Sequence, residues 1–149
     1  MTMLTKIDGF YEASKKCCHY IENVRPGDMD SIRKLASAIA TVYALGLQLP
    51  LGGYQTSDDN LDVNVEPPRI SFGDDDPYRI MYDPYKDDNW CVGLLSDDLA
   101  DIYRALEEGN LIYERGYKHD AGFEWAIDFF HWGRHAIGAL RPLNEMLMR

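Results

Sequence analysis

Apolar residues recur at helical spacing in four long segments, interrupted by one stretch where the pattern dissolves. In the first, about 5–24, Ile7, Phe10, Tyr11, Cys17, Cys18 and Ile21 share a face opposite Lys6, Glu12, Lys15, Lys16 and Glu22. Arg25-Pro26-Gly27-Asp28 is a turn signal, and Asp28 or Asp30 is placed to cap a second helix over about 30–49, ended by Pro50. Its inner face is Ile32, Leu35, Ala36, Ile39, Val42 and Tyr43. A third helix, about 96–115, has Ser96 as its expected N-cap and Gly116 as its stop, with Asp97 and Asp98 complementing its positive N-terminal end. The fourth runs over about 120–140. Pro142 forbids regular continuation, which predicts a break near Gly138–Arg141 and a short last helix over 142–148.

Residues 50–95 hold most of the prolines and many Asp, Asn and Gly, so they read as a long loop. Bulky Ile70, Phe72, Tyr78, Ile80, Met81, Tyr82 and Tyr85 argue that this loop packs on the helices, and the alternation of Tyr78, Ile80 and Tyr82 fits a short extended piece. Its acids, Asp74-Asp75-Asp76, Asp83 and Asp87-Asp88, lack the spacing of a calcium-binding helix–loop–helix and read as a solvated acidic loop. The expected fold is therefore all-α. It is a single helical domain over 1–149, a bundle of about four main helices with a short last helix and one long, partly packed loop.

The densest apolar stretch is Phe123 to Leu140. Trp125, Phe129, Trp132, Ala136 and Ala139 fall on one side of its wheel, with Ala126, Ile127, Phe130 and Ile137 on the next. A helix apolar nearly all round belongs in a core. One polar stripe breaks the pattern: Glu124, Asp128, His131 and His135 lie within roughly 60° of each other. His131 and His135 have the i, i+4 spacing that puts two imidazoles on one face. Glu124 and His135 are on the order of 16 Å apart along the axis, so they cannot share an ion. The candidate metal ligands are Asp128, His131 and His135, joined by a group from elsewhere; no HExxH is present.

The third helix carries a matching stripe of Asp97, Asp101, Arg104 and Glu108. A short turn near Gly116 makes helices three and four an antiparallel hairpin. Asp97 then falls opposite His135, Asp101 opposite His131, Arg104 opposite Asp128, and Glu108 opposite Glu124; a slide of one turn brings Asp101 to Arg134 and Arg104 to His131. Facing stripes would form a seam of carboxylates, imidazoles and arginine, the setting in which pKa values shift. The candidate binding residues are Asp97, Asp101, Arg104, Glu124, Asp128, His131 and His135. The structural alternative is a salt-bridge network or a solvent edge.

Charge and cysteines narrow the function classes. A formal net charge of −10 and a pI near 4.7 repel phosphate backbones and anionic lipids, so neither nucleic acid nor membrane is the expected partner. The same surface suits a basic protein partner, and the supply of Tyr, Trp and Met is enough for a homodimer. No apolar run reaches the roughly 18 residues of a membrane span, and the first residues lack a signal-peptide pattern. The three cysteines, adjacent Cys17 and Cys18 with Cys91, fit free thiols in a reducing cytoplasm. The expectation is of no bound cofactor, a divalent metal being the one candidate.

SDDLADIYRALEEG at Ser96–Gly109, EW at Glu124–Trp125, HWGRHAIGAL at His131–Leu140 and the upstream DPY at Asp83–Tyr85 resemble an uncharacterised bacterial family, domain-of-unknown-function family 5063. The resemblance covers roughly Asp83 to Leu140 and implies a small helical domain of the bacterial cytoplasm. It supplies no activity and no functional residues. Pro142 departs from the alanine-rich continuation expected of it. No nucleophile elbow, P-loop, dinucleotide fingerprint or zincin motif is present. The leading expectation is a binding or interaction module, with a toxin-neutralising protein as one version. The alternative is a metal-dependent or acid–base enzyme on the Asp/His stripe of the fourth helix.

Overall fold

The structure is a computed structural model that describes residues 1–86 and 89–149. Two long helices, α1 (Met3–Asn23) and α2 (Met29–Gln48), pack as a hairpin. The Thr2 side chain accepts from Thr5 N, so α1 starts before Thr5; Asp28 caps α2 by accepting from Asp30 N and Ser31 N. The chain then crosses the bundle without regular structure to a single 3₁₀ turn, Gly73–Asp75. Strands β1 (Pro77–Ile80) and β2 (Cys91–Leu94) follow as an antiparallel pair, with Tyr78 opposite Gly93 and Arg79 opposite Val92. Helices α3 (Leu95–Glu114), α4 (Lys118–Ile127) and α5 (Phe129–Met148) complete the chain.

The described residues are thus mainly helical, with five helices and one small sheet, where the sequence pattern predicts an all-α bundle with one short extended piece in its loop. Extended backbone at Tyr78 and Ile80 is as expected. Its partner strand was illegible because Cys91-Val92-Gly93-Leu94 runs without a turn signal into the apolar pattern of α3. The long loop does pack. Gln55 N donates to His119 Nδ1 at 3.1 Å, Ser57 donates to Asp120, and Leu61, Val63, Val65 and Ile70 lie against the core. Of its acids, Asp75 pairs with Arg149, while Asp87 and Asp88 lie outside the described residues.

Two helix boundaries differ from expectation. Ser96 does not cap α3; it lies inside the helix, and Asp76 from the preceding loop caps it instead. Asp76 accepts from Ser96 N and Ser96 Oγ, both at 2.7 Å, and its carbonyl accepts from Leu95 N. The break in the C-terminal region falls at Asp128 rather than at Gly138–Arg141, and Pro142 sits within α5. Pro142 is buried, as are Ala139, Leu143 and Met146 of the same helix, so tertiary packing carries the helix past a residue that disfavours it locally. The break at Asp128 leaves the Trp125 carbonyl without a helical partner, and the Trp132 indole donates to it at 3.0 Å.

Trp125, Trp132 and Phe10 form the centre of the core, with Phe10 4.7 Å from the Trp125 ring and 5.8 Å from Trp132. Gly109 and Gly46 are small because these rings press on them. A Cβ on Gly109 would collide with Trp125 Nε1, and one on Gly46 would stand 2.6 Å from both Phe129 and Trp132. The fourth segment is not apolar all round in place: Phe130 is 74% exposed, and Ile127 and Ile137 are also exposed. Only the Trp125, Trp132, Ala136, Ala139 side is buried, because α2 and α3 cover α5 on two sides and leave the third open.

Candidate functional site

Helices α3 and α5 pack against one another, and part of each polar stripe lines their seam. The centre is His135. Its Nδ1 lies 2.8 Å from Asp98 Oδ1, and its Nε2 lies 3.2 Å from Asp101 Oδ2. His131, one turn earlier, stands with its ring 4.8 Å from that of His135 at 76°. Ligand atoms from Asp101, His131 and His135 all lie within 4.8 Å of one another, the convergent metal-ligating set among the described residues. Arg104 closes the outer side by donating to Asp101 Oδ1 at 3.0 Å.

Behind His135 the site is built more tightly. Asp98 is buried, and its second oxygen accepts a short hydrogen bond from the Tyr78 hydroxyl on β1. Gly138 leaves the room for this contact: a Cβ there would stand 2.7 Å from Tyr78 Oη. The hydrogen bond to Asp98 raises the pKa of His135 above the ordinary histidine value; partial burial opposes this, and the charges of Asp101, Asp98 and Asp97 add to it. Burial, then the Asp98 hydrogen bond and charge, push the Tyr78 phenol upward.

The other stripe residues fall into a separate acidic group. Glu108 and Glu124 are raised by loss of hydration, and the charge of Asp128 raises both further. Asp128 is itself raised by burial, with His131 opposing. Asp128 is not in the convergent set; Asp101 stands there with His131 and His135 instead. Arg104 pairs with Asp101 in its own helix, not with Asp128, and Asp97 is exposed while its neighbour Asp98 makes the contact with His135. Asp98 and Tyr78 were missed. Asp98 reads equally well as a helix N-terminal charge, and Tyr78 reaches the site only through the fold of the strand pair.

A comparison with family models matches the domain of unknown function DUF5063 over residues 4–149. The chain belongs to that family. The DUF5063 match extends beyond Asp83–Leu140, where the motifs lie, to the first two helices. The crystal structure of protein BF1032 from Bacteroides fragilis, a structural genomics target, is similar with a TM-score of 0.72 at 16% identity. The likeness spans 97% of this chain and 96% of that one, and at this identity it speaks for the fold alone. A comparison with curated proteins finds no match. Among the described residues, no helix is long and apolar enough to cross a membrane.

Proposed function

We propose that this DUF5063 protein is a binding module for a divalent transition-metal cation, with Asp101, His131 and His135 as its ligands. One observation carries the reading. Asp98 occupies the Nδ1 side of His135, which turns Nε2 toward Asp101 and leaves it beside His131. A carboxylate behind a ligating histidine fixes its tautomer and ring orientation. Two donor atoms on a common tetrahedral zinc ion stand about 3.3 Å apart, given bond lengths near 2.0–2.1 Å. His135 Nε2 and Asp101 Oδ2 are already 3.2 Å apart. The exposed His131 ring closes the remaining gap by side-chain rotation. Two imidazoles and a carboxylate suit zinc, iron, nickel or copper rather than calcium or magnesium. Three protein ligands leave further coordination positions for water or another ligand.

The test is zinc titration of untagged, chelator-treated protein by calorimetry and thermal melting. One equivalent should bind, and zinc at about 100 times its dissociation constant should stabilise the fold by about 2.7 kcal/mol. His131→Ala, a surface change, should lose binding while keeping the helical circular dichroism of the parent. Parent protein that shows no saturable zinc, nickel or cobalt binding would overturn the proposal.

A second reading, protein interaction, rests on the open side of α5. Phe130, Arg134, Ile137 and Arg141 form one exposed ridge, and neither arginine is in an ion pair among the described residues. On a chain of net charge −10 this ridge is locally basic and apolar, which fits an amphipathic helix with acidic flanks. A photo-crosslinker at Phe130 should capture one such partner, and Arg134→Glu/Arg141→Glu should abolish the capture. Unchanged capture in the double variant would remove the charge argument.

A further inference from the structure

The β1–β2 pair is attached to the bundle largely at the seam. Asp76, just before β1, caps α3 through Leu95 N and Ser96, and Tyr78 reaches Asp98 of α3, beside Gly138 of α5, from within β1. The placement of Tyr78 is specified by two glycines on different elements. Gly93, its cross-strand neighbour, would bring a Cβ within 2.9 Å of the phenol ring, and Gly138 would bring one within 2.7 Å of the hydroxyl. With any side chain at either position the ring could not lie where it does. The hydroxyl ends on Asp98, and the other oxygen of Asp98 ends on His135. A two-stranded sheet has little stability of its own, so its docking depends on contacts of this kind.

We infer that the β1–β2 hairpin and the Asp101/His131/His135 cation site form one coupled unit, joined through Tyr78, Asp98 and His135, so that a bound cation secures the docked hairpin and the docked hairpin strengthens the site. The inference rests on the proposed cation binding and adds its regulation. A cation on Nε2 leaves the proton of His135 on Nδ1, where it donates to Asp98 Oδ1. That fixes the carboxylate, and with it the acceptor that Tyr78 needs. The cation thus favours the docked state over the undocked one, which is the condition for a ligand to shift a population. The coupling works equally in both directions: whatever zinc does for the hairpin, the hairpin does for zinc.

Hydrogen exchange of peptides covering Pro77–Ile80 and Cys91–Leu94, with and without zinc, reads one direction. Zinc affinity of Tyr78→Phe and Gly138→Ala reads the other. Zinc should slow hairpin exchange in the parent by about tenfold and leave it unchanged in Tyr78→Phe, while Tyr78→Phe, which keeps the ring and loses the hydroxyl, should bind zinc about tenfold more weakly. Gly138→Ala displaces the hydroxyl sterically and should match Tyr78→Phe if folded. Parent-like zinc affinity in Tyr78→Phe, or hairpin exchange indifferent to bound zinc, would overturn the coupling and leave the cation reading standing. Absence of zinc binding by the parent would overturn both.

Discussion

Asp98 holds His135 from the side facing away from the other candidate ligands, with Oδ1 2.8 Å from Nδ1. Asp98→Asn keeps the size of the side chain and removes its charge. Zinc affinity should fall by roughly 10- to 100-fold, the usual cost of losing a carboxylate behind a ligating histidine. Calorimetry on the variant, with circular dichroism as a control for folding, checks this.

Gly109 lies under the Trp125 indole, whose Nε1 donates to the Leu106 carbonyl at 3.2 Å. Helix propensity alone would make Gly109→Ala stabilising by about 1 kcal/mol. The structure reverses the sign, because the added methyl collides with Trp125 Nε1 and the ring is locked in the core. The variant should lose about 2–3 kcal/mol, measured by urea denaturation.

Glu124 sits with Glu108 and Asp128, and its pKa is raised by loss of hydration and then by the charges of Asp128 and Asp120. A raised carboxylate pKa means that the folded protein holds the proton more tightly than the unfolded chain. The penalty is absent below the ordinary glutamate range and builds as pH rises through and above it. Glu124→Gln should therefore raise the melting temperature at pH 7 by on the order of 1 °C, a small effect because the group is exposed. At about pH 4 the gain should vanish. Melts at the two pH values test the sign.

The two adjacent cysteines are buried core residues, and burial lifts the Cys17 thiol to about 12. Cys91, on β2, is only half-buried. A thiol reagent on the native protein should modify Cys91 alone, and denaturant should expose the other two. Labelling of Cys17 or Cys18 at the rate of Cys91 would contradict this placement.

Local chemistry placed α1, α2 and the end of α3. The spacing of Ile7, Phe10, Cys17 and Ile21, the Asp28 cap and the Gly116 stop each act within a few residues, and each is where the sequence put it. A short turn at Gly116 predicts an antiparallel return after α3, with Asp101 opposite His131 or, one turn on, Arg134, and leaves open whether the stripes face; in place Asp101 contacts His135. Three matters were decided by tertiary structure. Pro142 stays in its helix because its surroundings are packed, against its own preference. Asp98, not Asp97, meets His135, because a rotation of 100° about the helix axis separates neighbours, and only the packing angle chooses between them. Tyr78 reaches Asp98 from a strand twenty residues away because Gly93 and Gly138 leave it space. Sequence spacing carries the direction of each side chain within its own element. How one element is turned against another is fixed only when both have packed on the same core.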